Sequence, residues 1–162
     1  MKKIKIVSIS ILSVLLFFTS CKKDDEQGNS QAEDFHLTVK IDGVNFSDDN
    51  NAVVSAGADQ TEFYQITGID DSGNRITLNL TSPTSEGTFS PTAGDGITAL
   101  TYIQNSPLVV WSASEDVGSG TVIVTENNAT YIEGTFLFTG VNPADSGSTK
   151  EFTEGSFKAK KL

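Results

Sequence analysis

Between Phe35 and Lys160 the chain is built of short runs rich in Val, Ile, Thr, Tyr and Phe, each stopped by turn-forming residues. Nowhere in that span do apolar residues recur at helical spacing. This is the strongest constraint on the fold. β-Branched and aromatic residues suit a pleated, half-buried surface, and a period of two sends alternate side chains to opposite faces. The runs predict strands over residues 35–41, 52–57, 62–70, 75–81, 98–104, 108–113, 121–126, 130–141 and 151–160. Asp42-Gly43, Asp71-Ser72-Gly73-Asn74 and Asn127-Asn128 lie between them, where positive φ or side-chain turn bonds reverse a chain. Regular strand spacing with such turns implies an all-β fold, a single antiparallel β-sandwich or flattened barrel.

Two strands read differently. Arg75-Ile76-Thr77-Leu78-Asn79-Leu80 alternates cleanly, so Ile76, Leu78 and Leu80 are expected to face inward. Thr121-Val122-Ile123-Val124-Thr125 is less clean and reads as a strand buried on both faces. Asp48-Asp49-Asn50-Asn51 reads as a loop carrying oxygen atoms at no fixed spacing.

A four-residue pattern, E-G-[ST]-F, occurs three times: Glu86-Gly87-Thr88-Phe89, Glu133-Gly134-Thr135-Phe136 and Glu154-Gly155-Ser156-Phe157. The separations of 47 and 21 residues are unequal, so this is not a solenoid repeat. In a strand, Glu and Ser or Thr share one face and Gly and Phe the other. Glycine beside an inward ring leaves room for a neighbouring ring or backbone, or marks a bulge. A ring of three glutamates around a cation is the functional alternative.

The first twenty residues form a separate segment. Lys2, Lys3 and Lys5 make a basic start, and residues 6–18 are apolar except for Ser8, Ser10 and Ser13. A bilayer span needs about 20 apolar residues, so this run is too short. It ends Phe18-Thr19-Ser20-Cys21 rather than in the A-x-A-like exit of an ordinary secreted protein. The ending resembles the lipobox of bacterial lipoproteins, although Phe18 stands where an aliphatic residue is usual. The resemblance implies a signal peptide over 1–20, cleavage before Cys21, and lipid (a diacylglyceryl group, and acylation of the new amino terminus) on that residue. Cys21 is the single cysteine, so its lipidation leaves no thiol for a disulfide, a thiolate metal site or a cysteine nucleophile. Residues 21–34, lipidated Cys21 followed by KKDDEQGNSQAED, read as a flexible acidic tether, and 35–162 as the folded domain. Within the tether, Lys23-Asp24-Asp25-Glu26 directly behind the cysteine resembles the export signal that sends Bacteroidota lipoproteins to the outer face of the outer membrane.

Charge narrows the partners. The chain carries 21 acids against 11 basic residues. Three of those lysines leave with the signal, so eight face 21, a balance of −13. Such a surface repels nucleic acid and anionic headgroups. No nucleic-acid partner is expected, and the membrane is reached through the N-terminal lipid.

The segments Gly118–Thr125, Ile132–Phe138 and Phe152–Phe157, with the opening Val39-Lys40-Ile41-Asp42-Gly43-Val44-Asn45-Phe46, resemble a family of small uncharacterised Bacteroidota lipoproteins. That resemblance implies one all-β domain behind a lipobox, and it brings no activity.

Chemistry-bearing residues are sparse. His36 is the single histidine, expected as a polar residue on an edge strand, and without cysteine partners it cannot build a zinc site of usual type. Asp70-Asp71-Ser72-Gly73-Asn74 misses the spacing of a calcium loop and reads as a hairpin turn. No nucleophile elbow is present. No catalytic residue, metal or cofactor is therefore assigned. Trp111 and Tyr102 lie one strand apart and could stack on a sugar ring if both face outward, although a tryptophan in an alternating apolar strand more often belongs to a core. The expectation is a lipid-anchored outer-membrane protein, surface-exposed and non-enzymatic, with a glycan or a protein as ligand. The alternative is a glycan-binding accessory using those two aromatics.

Overall fold

The computed structural model describes residues 34–49, 51–56, 63–81, 86–91 and 97–162. All of them belong to the unit that begins at Ala32. They are strands and turns, and among them no helix is long and apolar enough to cross a membrane. Eleven strands follow in order: β1 (His36–Ile41), β2 (Val44–Asp49), β3 (Val53–Ala56), β4 (Phe63–Ile69), β5 (Arg75–Thr81), β6 (Gly87–Phe89), β7 (Ile97–Gln104), β8 (Val109–Ala113), β9 (Ser119–Asn127), β10 (Tyr131–Asn142) and β11 (Asp145–Lys161). The fold is all-β, as the period-two pattern requires.

The strands make one curled sheet with two halves. One half runs β6-β9-β10-β11-β1-β2 and the other β3-β4-β5-β7-β8. The long strands join them. The end of β11 pairs in parallel with β3 through Lys160↔Val53, and the end of β10 pairs with β8 through Val141↔Ser112. Since β10 also pairs with β11, the sheet wraps into a flattened barrel.

A single register row travels round it. From Lys160 on β11 it passes Val53, Thr67, Thr77, Thr101, Ser112 and Val141, and returns to β11 at Thr149. The row comes back eleven residues from where it left, which is the signature of steeply tilted strands. Eleven is odd, and in a plain strand an odd step would turn one of those ends inward. An extra residue prevents this. Between Phe152 and Gly155, β11 is out of step with both β1 and β10, and consecutive Thr153 and Glu154 are both exposed. Glu154 holds a φ of 53°, unusual outside glycine and typical of a bulge.

The bulge keeps Lys150, Phe152, Phe157, Ala159 and Lys161 all facing inward. Phe152 lies flat on Phe138 at 3.8 Å between centroids, and Phe136 tilts against Phe157 at 6.4 Å. Ile66, Ile76, Leu78, Leu80 and Leu100 arrive from the opposite half, all fully buried. Each such side chain contributes about 1.5–3 kcal/mol on leaving water. Lys150 and Lys161 cap the two ends of the core. Their ammonium groups sit 4.9 Å from the Trp111 ring centre and 5.2 Å from that of Tyr64.

Most predicted strands fall where expected, and three readings need correction. Asp48 and Asp49 belong to β2, not to a loop. Asp48 points inward, 3% exposed, and its Oδ2 accepts the Ile69 N–H at 2.7 Å. A carboxylate turned into a core hides the alternation that marks a strand. The 121–125 run is not buried on both faces: Val122 and Val124 point in, and Ile123 is 43% exposed. Strand β1, which carries His36, is flanked by β2 and β11 and is no edge.

Candidate functional site

Tyr102 and Trp111 are direct register partners on β7 and β8, stacked at 5.8 Å with 26° between rings. They share the inward parity of Leu100 and Ala113 and are each 6% exposed. Phe46 meets Tyr102 edge-on at 6.5 Å and Phe152 tilts against it at 5.4 Å. The two aromatics therefore stack on each other within the core and form no exposed platform. Alternation decides this, because Val110 and Ser112 take the outer positions of β8. Trp111 Nε1 is buried without a hydrogen-bond partner, which suits a core role more than a recognition role.

One end of the barrel opens as a cleft of about 370 Å³ lined by Asp42, Asp70, Asn74, Tyr102 and Lys150, among others. Its charges are turned on one another. Asp42 Oδ2 takes Lys150 Nζ at 2.8 Å and Oδ1 takes the Glu151 N–H at 2.9 Å. Burial alone would push the Asp42 carboxyl up, but the hydrogen bonds from Lys150 and Glu151, with the lysine charge, outweigh it and hold it below the usual range. Asp70 Oδ1 accepts the N–H groups of Ser72 and Asn74, and Oδ2 accepts Asn74 Nδ2. That is the hairpin turn expected from the sequence. Burial, and then the Asp70 charge, push the Tyr102 hydroxyl up, so it stays protonated. Asp70 is thus committed to its turn, and Asp42 to tying the β1–β2 turn to β11.

The outer face of the other half differs. The three E-G-[ST]-F segments, far apart in sequence, lie on strands of one half-sheet. On β10 and β11 the copies run antiparallel, so Gly134 lies opposite Phe157 and Phe136 opposite Gly155. A Cβ on Gly134 would sit 2.1 Å from the Ile123 carbonyl oxygen. Antiparallel order also sends the two glutamates to opposite ends of the Gly–Phe block. Glu133 sits beside Lys158 at 3.9 Å and Glu154 meets Lys40 at 2.6 Å. Among the described residues no group of three His, Cys, Asp or Glu could hold a metal ion.

Beside the bulge of β11 the outer face carries two depressions. A depression of about 310 Å³ spans β9, β10 and β11, with Ile123, Thr135, Leu137 and Ser156 among its walls. Leu137 is 55% exposed. A second depression of about 280 Å³ crosses β11, β1 and β2 by Thr38, Lys40 and Ser47. Glu154 borders both, and its ion pair with Lys40 stands where the two depressions adjoin. Thr38 of one and Ser156 of the other are hydrogen-bonded through Oγ1 and Oγ at 2.9 Å. Sequence reasoning missed these residues. The signal that could have found them is the third E-G-[ST]-F copy read as a bulge.

Cys21 and the export residues Lys23, Asp24, Asp25 and Glu26 lie outside the described residues, as do the whole 1–20 segment and residues 21–33 of the tether. Neither the curated proteins nor the solved structures offer a match. Residues 37–159, nearly the whole barrel, match the family described as Domain of unknown function (DUF6252), and the chain belongs to that family.

Proposed function

We propose that this protein is a lipid-anchored envelope domain at the outer membrane, exposed on the cell surface, and that it works by binding rather than by catalysis. The observation that carries the binding reading is the pair of depressions that adjoin at Glu154, one across β9, β10 and β11 with exposed Ile123 and Leu137, the other across β11, β1 and β2. The chemistry favours binding over catalysis. In the end cleft Asp70 is taken up by its turn and Asp42 by Lys150 and the Glu151 N–H, and the carboxylate that borders the two depressions, Glu154, is paired with Lys40.

The anchor reading is supported by the basic start, the short apolar stretch and the small residues before Cys21. Several acyl chains on one residue would hold the domain durably, since each buried CH₂ contributes about 0.8 kcal/mol. Cells carrying the wild-type chain or Cys21→Ala, fed labelled palmitate, test it. Label should enter the wild type, while the variant should accumulate as unlabelled precursor. A labelled Cys21→Ala chain would end the anchor reading.

A further inference from the structure

The end cleft holds two polar groups that the fold leaves incomplete. Tyr102 is the first. It lines the cleft and is only 6% exposed, yet its hydroxyl makes no hydrogen bond among the described residues. Its ring is gripped by Phe46, Trp111 and Phe152, so the hydroxyl stays where the ring puts it. Burial, and then the nearby Asp70 charge, keep that hydroxyl protonated. A polar group so deeply placed and without a partner is costly to leave unmet.

Asp70 is the second. Turn bonds fix its carboxylate without neutralising it. Its donors, the Ser72 and Asn74 N–H groups and Asn74 Nδ2, are all uncharged, and no cation among the described residues pairs with it. Oδ2 accepts one of those bonds and keeps a lone pair. Asp42 of the same cleft differs, because Lys150 cancels its charge at 2.8 Å. The cleft is left with one uncompensated negative charge near one unpartnered hydroxyl. Around them Ile41 and Val44 supply aliphatic wall, Val44 being 70% exposed.

Charge and the unmet hydroxyl select a cation that donates hydrogen bonds. A metal ion fits poorly, since among the described residues no three of His, Cys, Asp or Glu converge. A quaternary ammonium, which is held by open ring faces, fits poorly too. The Trp111 face already carries the Lys150 ammonium at 4.9 Å, and Phe46 is 3% exposed. An ammonium at the end of an alkyl chain has three N–H donors and needs no ring. We propose that the end cleft binds a primary alkylammonium group, with its N–H donors shared between Asp70 Oδ2 and the Tyr102 hydroxyl and its methylenes along Ile41 and Val44. The site goes beyond the binding reading above, which rests on the outer face.

An NMR titration of the full chain in detergent tests this, with n-pentylamine as probe and n-pentanol, pentanoate and pentyltrimethylammonium as controls. The amine should shift the Ser72 and Asn74 amide signals saturably, with a Kd of about 1 mM or tighter, and each control should bind about tenfold more weakly or not at all. Tyr102→Phe removes a hydroxyl that no described protein group uses. Its thermal transition should therefore hold while its affinity for the amine drops about fivefold. Asp70→Asn, which keeps an oxygen for the turn, should lose about tenfold. Cadaverine and Nα-acetyl-lysine methylamide separate two sources of the group. Tighter binding of the first would assign the site to a free diamine, and of the second to a lysine side chain of a peptide, and either supports it. Three outcomes would overturn the assignment: no saturable shift, unchanged amine affinity in Tyr102→Phe, or a quaternary ammonium or carboxylate that binds as well as the amine. The outer-face reading would survive all three.

Discussion

Gly134 and Phe157 face each other across β10 and β11, and the would-be Cβ of the glycine falls 2.9 Å from the ring's Cζ. Two residues along, Phe136 covers Gly155 in the mirror arrangement. A ring lying over a glycine shields backbone that no side chain covers and fills the gap it leaves. The pair of pairs is what two antiparallel copies of one tetrapeptide produce.

Gly134→Ala should therefore destabilise the domain by about 3 kcal/mol, by overpacking. The nearest obstacle is the Ile123 carbonyl oxygen rather than the movable ring. Shrinking the ring with Phe157→Leu should thus fail to rescue the variant. Urea denaturation of the single and double variants measures both, and recovery in the double variant would show that the ring was the obstacle.

Deleting Thr153 should be tolerated better than its place inside a strand suggests. Without the extra residue β11 alternates without a break, and Phe152 on one side and Phe157 with Ala159 on the other keep their inward positions. The ladders to β1 and β10 then run two residues against two, so the variant should keep a cooperative urea transition. Loss of that transition would refute the parity argument.

Asp48 separates two effects. Its Oδ2 satisfies the Ile69 N–H, while its buried Oδ1 has no partner. Asp48→Ala should cost about 1–3 kcal/mol by orphaning that N–H. Asp48→Asn keeps an acceptor for that N–H, so it should cost clearly less than Asp48→Ala. Equal losses in the two variants would mean that the Ile69 hydrogen bond is not what holds the site.

The sign of the acid response follows from Asp42. Its folded carboxyl titrates below the usual range, held there by Lys150 and the Glu151 N–H against the opposing effect of burial. It therefore contributes stability above the unfolded value of about 3.9 and loses that contribution as pH falls through its lowered folded value. Asp42→Asn should lower the melting temperature at neutral pH and make its decline in acid shallower. Since the side chain is 46% exposed, solvent screens part of the effect. Parallel melting curves for the two proteins across the acid range would remove Asp42 from the account.

The tether makes a cellular prediction, resting on the lipoprotein reading. If Asp24, Asp25 and Glu26 direct export, replacing all three with Ala should preserve palmitate labelling and move the domain to the periplasmic face. Protease added to intact cells should then strip the wild type and spare the variant. Identical digestion of the two would leave those charges as plain linker.

How much of this was legible depended on where polarity and burial agree. Ile76, Leu78 and Leu80 alternate with polar residues, so their strand and its inner face could be read directly. Asp48 and Ile123 break that agreement, one a charge inside and the other an aliphatic outside, and each misled the reading of its strand. Trp111 and Tyr102 could be placed on adjacent strands, but not on a face, until parity was known. The two depressions were invisible for another reason: the walls of each come from three strands, and the bulge beside them is a relation between β11 and its neighbours.

Strand β11 pairs with β1, β3 and β10, so it borders a strand from the start, one from the early middle and one from just before it. It is also the last of the described strands to be synthesised. Strand β1 must wait more than a hundred residues for this partner, and until then the inner faces of both half-sheets stay wet. Closure is thus a late, long-range event, of the kind that slows folding and leaves sheet edges open to other chains. The seventeen residues of that strand therefore set the moment at which the core can close.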